Sequence, residues 1–277
     1  MKFIVGGRGR LGQALARAHD TQAVRCLARA DYADWGAAGG AERVRAFFAP
    51  WAGSGATVFV ASGVLDPKLP AAEHQQVNVD LPAAIIAGAG ALGLRVVTFG
   101  TVMEGLLAQQ NPYVRSKAAL GQHVAELAAA GAPVAHVRVH TLFGGDGAPS
   151  PFMFLGQVFT ALQQRTPFNM TLGKQLREYH HIDDEARAVR LLDDAGVRGV
   201  FDLSHGEPLS LAEVARTVFS AFDAGHLLHL GALPEPVEEN FATVLARHPL
   251  LPPAAYRPAL PAIIDYLRAC GARPLDQ

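Results

Sequence analysis

The sequence contains little cysteine, no long apolar run and no excess of charge of either sign. Its two cysteines, Cys26 and Cys270, are too few for a disulfide framework or a thiolate metal site, and we expect both to be small buried residues. The 24 basic and 25 acidic side chains give no electrostatic basis for tracking a nucleic acid. No segment approaches the ~18 apolar residues of a membrane helix, and the N-terminal apolar run ends at Val5, too early for a signal peptide. We therefore expect a cytoplasmic protein without nucleic acid or membrane partners.

The first half of the chain alternates short apolar runs with Ala- and Leu-rich stretches of helical periodicity. This alternation predicts an α/β fold with a doubly wound parallel sheet, because strands covered by helices on both faces are apolar throughout. The expected strands are Phe3–Val5, Ala23–Leu27, Thr57–Ala61, Arg95–Phe99 and Pro133–Val139, and the expected helices between them are Gln13–His19, Ala41–Phe48, Leu81–Leu92 and Ser116–Ala129. After Thr141, a Gly- and Pro-rich loop leads to further helices, and Gly199–Leu203 is expected to return to the sheet as a strand.

The first strand runs into a glycine-rich turn that is followed by a helix. Three glycines of this turn have GxxGxxG spacing, which permits a sharp bend, the close approach of a pyrophosphate and tight packing of the helix on the strand. The helix N-terminus that follows favours anions. The turn therefore predicts a dinucleotide cofactor, with a ligand-free glycine turn as the alternative. The residues expected to contact the cofactor here are Gly6, Arg8, Gly9, Arg10, Leu11 and Gly12.

The end of the second strand indicates which dinucleotide is bound. An acidic side chain there accepts hydrogen bonds from the ribose hydroxyls of NAD, whereas an arginine meets the 2′-phosphate of NADP. This chain has Arg29 at that place and Arg8 inside the glycine turn, so two cations can flank the adenosine ribose. We therefore expect NADP. In the alternative, Arg29 is a solvated strand end, Asp31 binds the ribose, and NAD is the cofactor.

A tyrosine and a lysine four residues apart are the candidate catalytic pair. Helical spacing places the Tyr113 phenol and the Lys117 ammonium on the same face, one turn apart. A neighbouring ammonium favours the phenolate, so we expect Tyr113 to have a lowered pKa and to exchange a proton with a substrate oxygen. Thr101, with Thr98 as the alternative, is the candidate hydroxyl to polarise that oxygen, because substrates bind at the carboxyl ends of parallel strands. Asn78 is expected to organise backbone or a water molecule.

Taken together, these residues resemble the extended short-chain dehydrogenase/reductase family, which comprises NAD(P)-dependent sugar-nucleotide epimerases, dehydratases and ketoreductases. The resemblance covers nearly the whole chain. It is carried by the glycine turn, Val77–Val79, Thr101, Tyr113 with Lys117, Arg138 with Leu142–Gly144, Gln175–Asp184 and Gly206–Leu211.

The resemblance implies a role for each matching residue. Tyr113 is the general acid and base, Lys117 lowers its pKa and holds the nicotinamide ribose, and Thr101 hydrogen-bonds the reacting oxygen. Arg177 matches an arginine that clamps the nucleotide phosphates of the substrate, with a surface ion pair to Glu178 as the alternative. The other implied contacts are Ala61, Ser62 and Asn78 to the cofactor and Thr141 and Phe152 to the substrate.

The resemblance also implies a domain organisation and an assembly. Residues 1–145 and 181–204 are expected to form a Rossmann-type dinucleotide-binding domain. Residues 146–180 and 205–277 are expected to form a smaller, mostly helical domain that binds a nucleotide-sugar substrate. By analogy with the family, we expect a homodimer.

Several positions depart from the family pattern. Residues 99–100 replace a pair of serines, and Glu104 replaces a tyrosine. Thr141, with His140 beside it, replaces the asparagine that usually follows the strand arginine. The histidine pair at 180–181 is expected to be structural, and the histidines show no pattern of metal ligands, so no metal is expected.

The choice among the reactions of the family rests on two positions. Dehydratases have an acidic pair directly after the catalytic threonine, where this chain has Val102 and Met103, so dehydration is disfavoured. Epimerases hold NAD and prefer an acidic end to the second strand, which Arg29 opposes. We therefore expect an NADPH-dependent reductase of a nucleotide-linked keto-sugar. An NAD-dependent sugar-nucleotide epimerase is the first alternative, and a non-catalytic NADP-binding sensor or scaffold is the second.

Overall fold

A computed structural model describes residues 1–66, 68–108 and 111–272 of the chain. Its strands are β1 Lys2–Val5, β2 Val24–Cys26, β3 Thr57–Val60, β4 Arg95–Thr101, β5 Val134–Val139, β6 Thr141–Phe143, β7 Phe168–Met170, β8 Leu176–Arg177, β9 Tyr179–His181, β10 Gly199–Asp202, β11 Leu209–Ser210 and β12 Leu228–Leu230. Its α-helices are α1 Arg10–Ala18, α2 Arg29–Tyr32, α3 Gly40–Phe48, α4 Ala71–Gln75, α5 Leu81–Gly90, α6 Met103–Leu106, α7 Pro112–Ala129, α8 Phe154–Gln164, α9 Ile182–Asp194, α10 Leu211–Ala221 and α11 Ala259–Ala269. A π-helical segment, Gln76–Asp80, joins α4 to α5.

A six-stranded parallel sheet with the order β10-β5-β4-β3-β1-β2 organises the first part of the chain. The strand order reverses between β1 and β3, and in open α/β sheets ligands bind at the carboxyl ends of the strands beside such a reversal. All four residues of β3 are buried, as expected for a strand covered on both faces. The predicted Rossmann-type, doubly wound sheet is confirmed.

The described chain divides into two compact units, each with its own hydrophobic core. Unit 1 comprises Met1–Val139 and Ala186–Leu203, and unit 2 comprises His140–Glu185 and the residues from Ser204 onward. The core of unit 1 includes Phe3, whose ring meets that of Phe48 edge-on at 5.1 Å. The roles that the sequence assigns to the two parts, cofactor binding and substrate binding, stay predictions.

Unit 2 is built from helices and small sheets. Helices α8, α10 and α11 contribute most of its buried apolar side chains. Three two-stranded sheets accompany them, with β6 parallel to β9, β7 parallel to β12, and β8 antiparallel to β11. The sheet β6–β9 brings the segment around residue 141 beside the segment around residue 180.

The structure also shows the lengths of the apolar helices and the exposure of the two cysteines. Among the described residues, no helix has both the length and the apolar character needed to cross a membrane. The expected burial of the cysteines is wrong for Cys26, which is exposed, because β2 is the edge strand of the parallel sheet. Cys270 is partly exposed.

Candidate active site

The glycine turn lies between β1 and α1, beside the strand reversal. Gly6 has a positive φ of 83°, and a Cβ there would lie 2.5 Å from the backbone nitrogen of Ser62. A Cβ on Gly12 would lie 2.3 Å from the Gly6 carbonyl oxygen. Both glycines are therefore required by the close packing of the backbone around the turn.

Gly9 differs from the other two glycines because the protein crowds it less. A Cβ on Gly9 would come within 4 Å of a single atom, the Gly6 carbonyl oxygen at 3.3 Å, and the residue has ordinary extended dihedrals. Gly9 precedes α1, whose first turn holds no acidic residue and has no side-chain cap. A bare backbone at an uncapped helix N-terminus fits the pyrophosphate of a dinucleotide. Arg8, next to Gly9, is exposed.

The carboxyl end of β3 adjoins this turn. The Ala61 amide donates to the Val5 carbonyl oxygen at 2.9 Å, and the backbone of Ser62 packs against Gly6. The structure therefore brings Ala61 and Ser62 together with the glycine turn, as a shared cofactor site requires.

Arg29 and Asp31, the two residues that bear on cofactor choice, lie in α2. Arg29 is exposed at the start of the helix. The Asp31 carboxylate accepts a hydrogen bond from the Ala28 amide at 2.8 Å and so caps the helix N-terminus. One of its oxygens therefore serves the fold, whereas the Arg29 side chain faces solvent.

The catalytic candidates come from β4 and α7. Thr101 is the last residue of β4, and its hydroxyl accepts a hydrogen bond from the Met103 amide at 3.3 Å. Helix α7 begins with Pro112 after Asn111, whose side chain caps the helix by accepting from the Val114 amide at 3.0 Å. Tyr113 is therefore in the first turn of the helix.

Lys117 is tied to the end of the central strand. Its side chain is buried, and Nζ donates to the Phe99 carbonyl oxygen of β4 at 2.9 Å. Burial lowers the pKa of Lys117 to about 8, although the negative charge of Glu104 acts in the opposite direction. Lys117 is therefore a buried amine that loses its charge close to the neutral range.

The pKa of Tyr113 moves in the direction opposite to the one predicted. Burial raises it, and the negative charge of Glu104 raises it further. The expectation that the Lys117 ammonium determines the pKa of Tyr113 is therefore wrong. The sequence spacing reveals Lys117, but it reveals neither the burial of Tyr113 nor the carboxylate of Glu104. At neutral pH, Tyr113 is a protonated phenol.

Asn78 lies in the π-helical segment and joins three parts of unit 1. Its Oδ1 accepts from the Val64 amide at 2.9 Å, while Nδ2 donates to the Val64 carbonyl oxygen and to Ser116 Oγ, each at 3.0 Å. This side chain therefore holds the loop after β3 against α7, the helix of Tyr113. A contact between Asn78 and the cofactor stays a prediction.

Sequence reasoning missed a buried pair beside the candidate site, Glu104 and His136. Glu104 Oε1 lies 3.3 Å from His136 Nε2 and accepts from the Thr101 amide at 2.6 Å. The other ring nitrogen of His136 lies 2.8 Å from the Thr98 hydroxyl, so Thr98 is occupied in the fold and Thr101 is the better placed candidate. A Cβ on Gly100 would lie 2.0 Å from Glu104 Oε1. Gly100 and Glu104, which both depart from the family pattern, are therefore linked, because a side chain at position 100 would collide with the Glu104 carboxylate.

The predicted substrate contacts all lie in unit 2. Thr141 is the first residue of β6, Phe152 is 40% exposed ahead of α8, and Arg177 ends β8. Arg177 forms an ion pair with Glu239 and donates to the Leu176 carbonyl oxygen at 2.8 Å. The alternative of an ion pair between Arg177 and Glu178 is wrong, because Glu178 is buried among histidines.

Unit 2 also groups residues that the sequence analysis did not connect. One ligand atom each of Glu178, His180 and His205 lies within 4.8 Å of the others, a spacing that a metal ion can bridge. The sequence separates His205 from Glu178 by 27 positions, so no local spacing indicates the group.

The family of the chain follows from comparison with known proteins. The sequence matches the profile of the NAD dependent epimerase/dehydratase family over residues 3–201, and the chain belongs to this family. It is therefore an enzyme of the extended short-chain dehydrogenase/reductase type, as the residue pattern predicts. Comparison with curated proteins gives no significant match.

Solved structures from this group have the same fold. UDP-glucose 4-epimerase from Thermus thermophilus, solved with NAD, has a TM-score of 0.71 at 17% identity over 97% of this chain and 99% of that chain. UDP-N-acetylglucosamine 4-epimerase from Methanobrevibacter ruminantium, solved with UDP-N-acetylmuramic acid, has a TM-score of 0.73 at 14% identity over 96% of this chain and 95% of that chain. TunA, an NAD-dependent NDP-hexosamine 5,6-dehydratase, has a TM-score of 0.74 at 18% identity over 100% of this chain and 99% of that chain.

Proposed function

We propose that the protein is an NAD(P)-dependent epimerase that inverts a hydroxyl-bearing carbon of a nucleotide-linked sugar. The observation that carries the proposal is the placement of three side chains. Thr101 ends β4, and Tyr113 and Lys117 lie on α7. The hydrogen bond from Lys117 Nζ to the Phe99 carbonyl oxygen connects α7 to β4. A hydroxyl and a phenol at the carboxyl end of a parallel strand suit the removal and return of a proton at a sugar oxygen. Family membership and the similarity to two 4-epimerases support this reaction over the keto-sugar reduction expected from the sequence.

Tyr113 is the proposed proton carrier. Its raised pKa keeps Oη protonated at neutral pH, which suits the return of a proton to a sugar oxygen. Removal of a proton requires the phenolate, and the nearby ammonium of Lys117 favours that form. With a pKa of about 8, most of the Lys117 population is charged at neutral pH. Burial, with the negative charge of Glu104 added to it, therefore raises the pKa of Tyr113, and the Lys117 ammonium would act against both when the proton is removed.

The nicotinamide dinucleotide, when bound, supplies the acceptor and donor of hydride. The residues that would hold it are Gly9 with the amides of the first turn of α1, the backbone of Ala61 and Ser62, and Lys117. Gly9 would admit the pyrophosphate, because the Gly6 carbonyl oxygen, at 3.3 Å, is the one described atom near the position that a Cβ would occupy.

The proposed substrate is a UDP-linked sugar. Five of the solved structures of this fold are described with UDP-sugars or as acting on them, at 14–19% identity to this chain. Arg177 would pair with the diphosphate in place of Glu239, and Phe152 would cover the nucleotide base. Thr141 would contact the sugar.

Reduction of a keto-sugar by NADPH is the second candidate, and one observation favours it. Arg29 is exposed, whereas Asp31 caps α2. Replacing the cation should therefore change cofactor choice. For Arg29→Asp we expect the ratio of NADP to NAD affinity to fall about 10–100-fold, as the loss of a charge-assisted hydrogen bond implies. Titration calorimetry measures the ratio, and Arg45→Asp, at an exposed arginine of α3, is the matched control. An unchanged ratio would show that Arg29 does not bind the 2′-phosphate.

The two reactions differ in their use of the cofactor. Protein stripped of cofactor is supplied with catalytic amounts of NAD or NADP and with UDP-glucose or UDP-N-acetylglucosamine, and the released sugars are separated by chromatography. An epimerase converts the sugar with no net change in reduced nicotinamide, and this is the expected result. A parallel reaction contains excess NADPH and a nucleotide-linked keto-sugar, and a reductase consumes one NADPH for each keto-sugar reduced. Cofactor binding with no conversion of any nucleotide sugar would instead support the sensor or scaffold.

A further inference from the structure

Unit 2 contains a buried group of imidazoles around one carboxylate, which we call the Glu178 cluster. Its members are Glu178, His140, His180 and His205. Their side chains are 1%, 7%, 0% and 15% exposed, respectively. The reaction proposed above uses none of these four side chains, so their burial needs a separate explanation.

The Nε2 atoms of the three histidines converge on one oxygen. Glu178 Oε2 lies 3.0 Å from His180 Nε2, 3.7 Å from His140 Nε2 and 3.7 Å from His205 Nε2. A tetrahedral zinc ion with bonds of about 2.0–2.1 Å holds its ligand atoms roughly 3.3–3.4 Å apart. The three observed separations lie on either side of that value, and the ligand atoms of Glu178, His180 and His205 all lie within 4.8 Å of one another.

His140 provides a second and independent indication of a ligand. Its Nε2 is buried and has no hydrogen-bond partner in the protein. A buried polar nitrogen without a partner costs free energy, and native structures have few such atoms. This atom points at Glu178 Oε2, where a metal ion would satisfy it.

The orientation of His180 also matches that of a metal ligand. Its Nδ1 lies 2.7 Å from Glu185 Oε2, and that oxygen accepts a hydrogen bond from Tyr256 Oη at 2.8 Å. A carboxylate behind the second ring nitrogen fixes the tautomer and aims Nε2 at the metal in many zinc sites. Glu185 is fully buried and stands in that position.

Glu178 is held rigidly by its other contacts. Its Oε1 accepts hydrogen bonds from Ser204 Oγ and from the Gly206 amide, the latter at 3.1 Å. Its Oε2 accepts from the His205 amide at 2.8 Å. These donors fix the carboxylate and leave the direction toward the imidazoles open.

The charges of the cluster balance when a divalent cation is present. The carboxylates of Glu178 and Glu185 face His180 from its two ring nitrogens in a nearly dry region. A protonated His180 offers one positive charge to the two carboxylates and leaves His140 Nε2 without a hydrogen bond. A divalent ion with three neutral imidazoles compensates both charges, as buried ionic groups require.

We propose that unit 2 holds a zinc ion ligated by Glu178 Oε2 and by Nε2 of His140, His180 and His205. Binding releases the His180 Nε2 proton to solvent, while Nδ1 keeps its proton for Glu185. Four protein ligands leave no open position, so the site is structural. It joins the segment before β6 to β9 and to the loop after Leu203. This inference does not depend on the proposed reaction.

Metal uptake by the full-length protein tests the site. After treatment with a chelator and dialysis, the protein is titrated with cobalt(II), which reports tetrahedral coordination by visible absorption, and then with zinc. We expect one cobalt ion per chain with a tetrahedral spectrum, displacement by zinc, and a zinc-dependent rise in Tm. Absence of the spectrum and of any rise in Tm would overturn the proposal.

Variants show which residues bind the ion. We expect Glu185→Gln to weaken zinc binding about 10–100-fold, as loss of the group behind a ligand does elsewhere. His205→Ala and His140→Gln should weaken binding further, and circular dichroism of each variant confirms that it is folded. His226→Ala, at an exposed histidine of unit 2 outside the cluster, should bind as the wild type does. Equal binding by wild type and His205→Ala would refute the assignment.

Discussion

Each of the two units contains a buried glutamate beside a buried histidine, and the two pairs differ in their other partners. In unit 1, Glu104 lies 3.3 Å from His136, whose second ring nitrogen faces a threonine hydroxyl at 2.8 Å. In unit 2, Glu178 lies 3.0 Å from His180, whose second ring nitrogen faces the carboxylate of Glu185 at 2.7 Å. A hydroxyl can donate or accept, so one ring proton satisfies the first histidine. A carboxylate at each nitrogen of His180 requires two ring protons or a metal ion.

The group at the second ring nitrogen of the histidine therefore determines the charge of each buried pair. Burial lowers the pKa of His180, but the carboxylates of Glu185 and Glu178 outweigh burial and raise it to about 9. Burial raises the pKa of Glu178, but hydrogen bonding from His180 and the neighbouring His140 bring it down to about 2. Without a metal ion, the unit 2 pair is thus a charged pair of an ionised Glu178 and a protonated His180. The unit 1 pair instead acts through Glu104 on Tyr113 and Lys117, the proposed proton carrier and its neighbour.

Removing a phenol from each unit gives the largest expected difference in kcat between the two units. Tyr113→Phe should lower kcat about 10²–10⁴-fold, the usual share of general acid and base catalysis, while cofactor binding is retained. Tyr179→Phe removes a buried phenol from unit 2 and should leave kcat within a few-fold. Steady-state kinetics and cofactor titration provide the measurements. Equal activity of Tyr113→Phe and wild type would show that Tyr113 is not the general acid and base.

Replacing each glutamate by the uncharged isostere compares the stabilities of the two pairs. We expect Glu178→Gln to lower the free energy of unfolding by about 3–5 kcal/mol, because it breaks a buried ionic network. Glu104→Gln should cost about 1–3 kcal/mol, because it weakens the hydrogen bond from the Thr101 amide and the contact with His136. Urea unfolding in the presence of a chelator measures both. The reverse order would show that Glu104 is the more strongly stabilising carboxylate.

Sequence periodicity was sufficient for the sheet and for part of the candidate site. The strands of the central sheet are apolar because both faces are covered, and the Tyr113 to Lys117 spacing depends only on helix geometry. Glu104 and His136 were beyond this reasoning, because their meeting requires the register that pairs Thr98 with His136 across β4 and β5. A histidine inside an apolar strand gives no local indication of its partner.

The Glu178 cluster escaped prediction for the same physical reason. Its imidazoles come from the segment before β6, from β9 and from the loop after Leu203, and only tertiary packing brings them together. The direction of the Tyr113 pKa shift was likewise inaccessible, since the spacing reveals the lysine but not the burial or the carboxylate of Glu104.

The pH dependence of stability provides a finer test of unit 2. The folded pKa of His180, about 9, exceeds its usual 6.5, so its contribution is complete below pH 6.5 and is lost as the pH rises through 9. Burial lowers the pKa of His140 to about 3, although Glu178 opposes this, so its contribution is lost as the pH falls from 6.5 toward 3. We expect the Tm of chelator-treated protein to peak near pH 6.5. His140→Gln should flatten the acid limb and His180→Gln the alkaline limb, and a Tm that is constant from pH 6.5 to 9 would contradict the assignment for His180.

The smallest expected effect concerns the influence of Glu104 on the candidate catalytic groups. Its negative charge raises the pKa of both Tyr113 and Lys117, so Glu104→Gln should lower both values. The limb of the kcat/KM profile that reports Tyr113 should therefore move to lower pH, with less change at its maximum than Tyr113→Phe produces. Glu126→Gln removes an exposed carboxylate from α7, the helix of Tyr113 and Lys117, and should leave the profile in place. Coincident profiles for Glu104→Gln and wild type would mean that the Glu104 and His136 pair is as purely structural as its counterpart in unit 2.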